Sequence, residues 1–283
     1  MNRTETVIVG TDGSAAAGAA VVWAADEAVR HGRSLRIVHV EQPWVFGLPD
    51  VPSAEFTEAR AAQSGQALEE ARSLAAEGRP GLEVTIENVR GDLIRTLADL
   101  APQGTELVLG RRGHGAFADL LLGSTSLRLA GHLARPVIVV RGGTAPARGE
   151  VVVGVALDHN PKAALTFAFA AARARGAQVR AIHVWEVSDA IAPLVRDEQG
   201  FIDPLDRLAD LMAPWREMND DVKVVEELST GQPVAVLTEV SAGADLLVVG
   251  SHGRGPLTGA LLGSVGHGVL HHAHCPVAVI PTH

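Results

Sequence analysis

"ADLLVVGSHGRGPLTGALLGSVG", residues 244–266, begins as an apolar run and then opens into a loop with six glycines between positions 250 and 266 and no lysine. A short continuous Leu/Val run reads as a strand buried on both faces, the kind found in parallel sheets covered by helices. In such open α/β sheets, ligands bind beyond the carboxyl ends of the strands, where strand order reverses. The same arrangement stands 140 residues earlier: Gly110, Gly113, Gly123 and Ser124 spell G-x2-G-x9-G-[ST], and Gly250, Gly253, Gly263 and Ser264 repeat it.

The repetition extends outward from these loops in both directions. "TVIVGTDGS" at 6–14 pairs with "VVVGVALDHN" at 151–160, and "LRIVHV" at 35–40 with "VRAIHV" at 179–184. "RGDLIRTLADLAPQGTELVLG" at 90–110 matches "TGQPVAVLTEVSAGADLLVVG" at 230–250, and "GSTSLRLAGHLARPVIVV" matches "GSVGHGVLHHAHCPVAVI". His39 and His183 are 144 residues apart whereas the later pairs are 140 apart, so the second half has a connection four residues shorter between His183 and Gly231. Spacing this regular means tandem domains. The first half reads as strands near 6–10, 35–40, 82–89, 107–110 and 137–140, with helices near 15–31, 54–77, 92–101 and 124–134. This β-α-β alternation predicts two α/β domains, 1–141 and 150–283, each an open five-stranded parallel sheet flanked by helices. Residues 142–149, within "RGGTAPARG", are the expected exposed linker.

Composition narrows the classes. A chain of 283 residues with 47% hydrophobic and 20% charged residues buries a sizeable core. A formal charge of −9 argues against general nucleic-acid binding, which needs a basic face. The sequence has no apolar run of membrane-spanning length and no Lys/Arg-led apolar opening, so the expected compartment is the cytoplasm. Its single cysteine, Cys275, excludes an intrachain disulfide and fits a reducing environment.

The glycine loops read as anion sites. Glycine at 110 and 113 would allow positive φ and close approach of backbone to a ligand. Gly123 and Ser124 then start a helix, whose free N–H groups attract phosphate without help from lysine. A Walker A loop is excluded in the first half, because no lysine precedes Lys162, and "GTDGSAAAG" has the wrong spacing for a dinucleotide fingerprint. Flavin mononucleotide in a flavodoxin-like site stays formally open, but its usual stacking aromatics are scarce, Trp44 being the one obvious candidate of the first half. Arg111, Arg112, His114, His252 and Arg254 form either a solvated rim or a set of phosphate contacts.

At these residues the chain resembles the universal stress protein family in its tandem form, over nearly its whole length. The twice-repeated glycine pattern, "GTDGS" after the first strand, "HV" closing the second and "CPV" before the last carry the resemblance. It implies a Rossmann-like, adenine nucleotide alpha hydrolase-like fold and an ATP-binding branch, with Mg2+ as a companion of the nucleotide. By that resemblance Asp12 lies near adenine or ribose, the Val40 backbone at adenine, and Gly110, Gly113, Gly123, Ser124 and Thr125 around the phosphates; Arg112 and Arg254 join the candidate set as the phosphate-contact reading of the rim. The second half offers Val184, Gly250, Gly253, Gly263, Ser264 and Val265. Pairing through the last strands, Val137–Val140 against Val277–Ile280, is also implied, as a pseudo-dimer within one chain or a homodimer between chains. One departure stands out: aligned on Gly10 and Gly154, Asp12 corresponds to Ala156, and an acid returns only at Asp158. That makes Asp158 a candidate ligand contact or a plain turn residue.

Other features have plainer readings. His39 and His183 end apolar strands and suit core or turn packing. His267, His271 and His274 have the spacing of three imidazoles on one helix face, which a zinc site would need, but a histidine-rich helix end favoured by the dipole is the simpler reading and no metal is assigned. Cys275 precedes Pro276 at a strand entrance and suits burial. No G-x-S-x-G elbow, metalloprotease histidine pair or general base beside a glycine loop is present. Three functions remain: a nucleotide-dependent regulator of a stress or signalling response, acting on an unknown protein partner; a slow ATPase or nucleotidyl transferase; and a ligand-free interaction module.

Overall fold

The computed structural model describes residues 5–42, 54–111, 123–141, 147–186, 204–251 and 262–282. The chain divides into two compact units, Met1–Thr144 and Ala145–His283.

The first unit runs β1 (Thr6–Thr11), α1 (Ala15–His31), β2 (Ser34–Glu41), α2 (Ala54–Ala76), β3 (Val84–Arg90), α3 (Leu93–Leu100), β4 (Glu106–Gly110), α4 (Ser124–His132) and β5 (Val137–Val140). Its strands lie in the order β3-β2-β1-β4-β5, and all pair in parallel. Every residue of β5 is buried, as are four successive residues of β4. Because neighbouring side chains of a strand point to opposite faces, such runs require cover on both sides of the sheet. β3 (VTIENVR) shows no fully buried residue and forms the edge.

Local signals set the helix ends. The Ser14 hydroxyl accepts the Ala17 N–H at 3.2 Å and starts α1. Gly32, at φ 61°, ends it, and the Arg33 N–H turns back to the Ala28 carbonyl at 2.8 Å. This left-handed cap is inexpensive only for glycine.

In the second unit the order is β6 (Glu150–Gly154), α5 (Lys162–Arg175), β7 (Gln178–Trp185), α6 (Pro204–Met218), β8 (Val224–Thr230), α7 (Pro233–Ser241), β9 (Leu246–Gly250), α8 (Ser264–His272) and β10 (Val277–Ile280). The parallel strands follow β10-β9-β6-β7-β8, the same plan as the first unit. Gly176 repeats the left-handed cap of Gly32, with φ again 61°. Phe169 is fully buried and stacks on Trp215 with ring centres 5.6 Å apart, joining α5 to α6. Among the described residues no helix is long and apolar enough to cross a membrane.

Each unit ties its edge strand with an ion pair at the same place, Arg36–Glu87 and Arg180–Glu227. Burial pushes the Glu227 carboxyl up, but the Ser229 hydroxyl at 2.7 Å and the Arg180 guanidinium at 2.7 Å outweigh it and hold the carboxyl below its ordinary value of 4.5. A carboxyl with a lowered folded pKa contributes stability above the unfolded value and loses it as pH falls through the folded one. Arg180→Met is therefore expected to destabilise the second unit by about 0.5–1 kcal/mol at pH 7. The gap between variant and parent should close as pH falls below 4.5 in urea titrations. A gap independent of pH would locate the effect in lost packing.

Candidate functional site

β1 and β4 are neighbours, yet the chain leaves β1 toward β2 on one side and β4 toward β5 on the other. Strand order therefore reverses between them, and the open position lies past Thr11 and Gly110. At β1 the chain turns at once. Gly13 has φ 80°, its N–H bonds the Thr11 hydroxyl at 3.2 Å, and the half-buried Asp12 carboxylate accepts the Ser14 N–H at 3.0 Å. Nδ1 of His39 lies 2.9 Å from the Thr11 carbonyl oxygen, a bond that needs the proton on Nδ1.

Gly110 ends β4 directly under the start of α1. A Cβ there would stand 2.7 Å from the Ala16 carbonyl oxygen and 3.0 Å from the Ala17 nitrogen. Its φ is not positive, which corrects the sequence expectation: this glycine is required by a helix pressed against it. The chain then departs at Arg111 and returns at Gly123. The Arg111 N–H donates to the Val140 carbonyl at 2.9 Å, and the Gly123 N–H donates to the Arg111 carbonyl at 2.8 Å, closing the loop at its base.

Gly123 is the N-cap of α4 and has no side chain to offer, so no side-chain cap satisfies the first turn. The Ser126 hydroxyl instead donates to the Gly110 carbonyl at 3.0 Å, fastening α4 to the end of β4. The amino ends of α1 and α4 thus both meet the carboxyl end of β4. Helix amino ends each carry about half a positive charge, so this position suits an anion although the chain as a whole is acidic. Ser124 is exposed and Thr125 half-buried on the first turn. Val40 lies one residue beyond the last β1–β2 register pair, Thr11↔His39, while still paired with Val89 of β3.

The second unit reproduces most of this geometry. The Ser251 N–H donates to the Ile280 carbonyl at 2.8 Å, and the Gly263 N–H to the Ser251 carbonyl at 2.9 Å. Gly263 is again a helix N-cap without a side-chain bond, and Ser264 and Val265 open α8. His183, buried, places Nδ1 2.8 Å from the Val155 carbonyl oxygen. Val184 sits two residues past the last β6–β7 pair, Gly154↔Ile182, and pairs with Ser229. Gly250 ends β9 as Gly110 ends β4.

The units differ at the first loop. The cap glycines Gly32 and Gly176 are 144 residues apart, as are Gly10 and Gly154, so nothing is inserted between them. α5 nevertheless has 14 residues against 17 in α1, and begins three positions late. At this offset Ala156 takes the register of Asp12, and Asp158 that of Ser14. Asp158 is exposed and its carboxylate lies 2.9 Å from His159 Nδ1. Asn160 accepts the Lys162 N–H at 3.0 Å, a local turn in place of the serine cap.

Arg111 is 8% exposed, and Ser251 at the equivalent position is 3% exposed, so both are buried; the solvated-rim alternative fails for Arg111. Arg112, Gly113, His114, His252, Gly253, Arg254 and Trp44 lie outside the described residues. α8 ends at His272, which takes His274 off the helix and undoes the expected three-imidazole face. Cys275 is buried with its thiol 3.3 Å from the Pro276 carbonyl oxygen. Sequence reasoning assigned no site role to His39, His183 and Ser126. The identical position of the two histidines in the repeat was the available signal for the first two.

The universal stress protein family model matches residues 3–141 and again 148–281. A universal stress protein of Mycolicibacterium smegmatis is 37% identical over 97% of this chain and 96% of its own length. One of Mycobacterium tuberculosis is 35% identical over 96% of both. The chain belongs to the universal stress protein family, as two tandem copies of its domain. In fold it is similar to a crystal structure of a universal stress protein from Archaeoglobus fulgidus, with a TM-score of 0.75, 18% identity, and coverage of 98% of this chain and 96% of that one.

Proposed function

We propose that this universal stress protein binds ATP and that its nucleotide-bound state regulates another component of a stress or signalling response. The observation that carries the reading is the twice-built loop base. In each unit a glycine amide closes the loop onto the end of the fourth strand and leaves a helix start without a side-chain cap. Phosphate is the natural complement of such a start. Gly110, Gly113, Gly123, Ser124 and Thr125 would surround the phosphates in the first unit, with Asp12 and the Val40 backbone at the nucleoside. Gly250, Gly253, Gly263, Ser264, Val265 and Val184 would do so in the second, and Arg112 and Arg254 would guard the rims. Mg2+ would arrive on the triphosphate, keeping several of its own waters.

Calorimetric titration of the full chain with ATP tests this. Gly113→Glu and Gly253→Glu each bring a bulky anion into the loop, and each is expected to weaken one site about tenfold with unchanged circular dichroism. Unchanged affinity in a folded double variant removes the phosphate-loop assignment. Turnover is expected to fall far below ordinary enzyme rates of about 10 per second. Rates of that order, abolished by Ser124→Ala or Ser264→Ala, would replace regulation with catalysis.

A further inference from the structure

α8 carries His267 and His271 four residues apart, one helical turn, and their ring centres are 4.8 Å apart with planes tilted by 36°. Among the described residues no group of three or more His, Cys, Asp or Glu side chains is placed to hold a metal ion, so the pair must be judged as a two-ligand clamp. A transition ion about 2.0–2.1 Å from one nitrogen of each imidazole lies about 3.2 Å from each ring centre. Two ligands at angles between square and tetrahedral then set the centres about 4.5 to 5.2 Å apart. The observed separation of 4.8 Å, also common between packed rings, permits such a clamp when one nitrogen of each ring faces a shared ion. His272 does not share the geometry, since its ring centre is 6.1 Å from that of His271.

We propose that His267 and His271 form a two-imidazole site for a borderline divalent ion of the zinc, nickel and copper class, with water completing the coordination. Imidazole nitrogen suits these ions, whereas magnesium and calcium prefer oxygen. His267 is exposed and His271 half-buried, so an ion reaches the clamp from solvent and needs no opening of the fold. The backbone of α8 presets the spacing, which spares the ordering that a flexible pair would need. The site is confined to the second unit: the matching positions of α4, at the offset of 140 that aligns Ser124 with Ser264, hold Leu127 and Gly131. The proposal does not rest on nucleotide binding, because neither histidine belongs to the loop or to the residues assigned to the nucleotide.

The test is titration of the untagged full chain with Zn2+ and Ni2+ alone by calorimetry, followed by thermal melts with and without each ion. The parent protein is expected to bind one ion per chain reversibly, with release by EDTA, Ni2+ to raise the melting temperature, and Mg2+ to do neither. His267→Gln and His271→Gln should each weaken binding at least tenfold and remove the thermal shift, while His272→Gln should leave both unchanged. Retention of parental affinity in folded His267→Gln would overturn the proposal. So would the absence of any binding by the parent chain up to millimolar ion.

Discussion

At the proposed ATP sites, Asp12→Ala is expected to lower affinity at the first unit by roughly 10- to 150-fold, and Asp158→Ala to change affinity at the second by less than about threefold. The first figure follows from the loss of a hydrogen bond to a charged group, about 1.5–3 kcal/mol. Asp12 is half-buried on the turn between β1 and α1, at the end of the sheet where β4, α1 and α4 converge. The second figure follows from register, since Asp158 occupies the place of Ser14, is exposed, and is held by His159. Asp12 also accepts the Ser14 N–H, so alanine removes a turn bond along with any nucleoside bond. Asp12→Asn keeps that acceptor and loses only the charge. Nucleotide titration of all three variants separates the roles, and equal losses in Asp12→Ala and Asp158→Ala would show that both acids reach the ligand.

Gly110→Ala is expected to cost the first unit about 1–3 kcal/mol, the range for forcing an extra methyl into a packed site. The new Cβ would meet the Ala16 carbonyl oxygen at 2.7 Å and the Ala17 nitrogen at 3.0 Å. These are backbone atoms at the start of α1 and cannot rotate away. Either α1 or the end of β4 must move, and with it the base of the loop that Arg111 and Gly123 close. The urea midpoint of the first unit should fall by about 1 M, and ATP affinity there should fall with it. Gly65→Ala supplies the opposite sign. Gly65 lies within α2, an added Cβ would meet nothing within 4 Å, and its φ is not positive. Alanine there should stabilise by about 0.5–1 kcal/mol. Destabilisation by both substitutions would point to a general intolerance of the unit to alanine, and the packing account of Gly110 would fail.

Much of this fold was written in local patterns. The Val/Ile/Leu runs at 6–10, 107–110 and 137–140 each became strands of the sheet, because a continuous apolar run has no other economical place in an α/β unit. The repeat then doubled the evidence for every element. What escaped the sequence depends on contacts between elements far apart along the chain. Gly110 looked like a turn glycine, and its constraint comes from Ala16, a residue 94 positions earlier. Arg111 was left between a solvated rim and a phosphate contact, because arginine usually lies at the surface, yet it is buried. The late start of α5 was hidden because "GVALDHNPK" contains no insertion; Pro161 and Asn160 simply hold as a loop the residues that α1 uses for its first turn. His39 and His183 took the packing role expected of them, and what the sequence did not show is the partner: their rings bond the carbonyls of Thr11 and Val155, each 28 residues earlier.

The missing first turn of α5 has a consequence for the concentrations to which such a chain responds. A single site fills from about one tenth to nine tenths over roughly two decades of free ligand. A chain carrying nucleotide on two units whose affinities differ by one to two decades spreads its filling over roughly three to four. The first unit would then be saturated, and silent, at concentrations where the second is still changing occupancy. If both units bind nucleotide as proposed, the shorter α5 would make the two copies of one domain a coarse and a fine scale on one polypeptide.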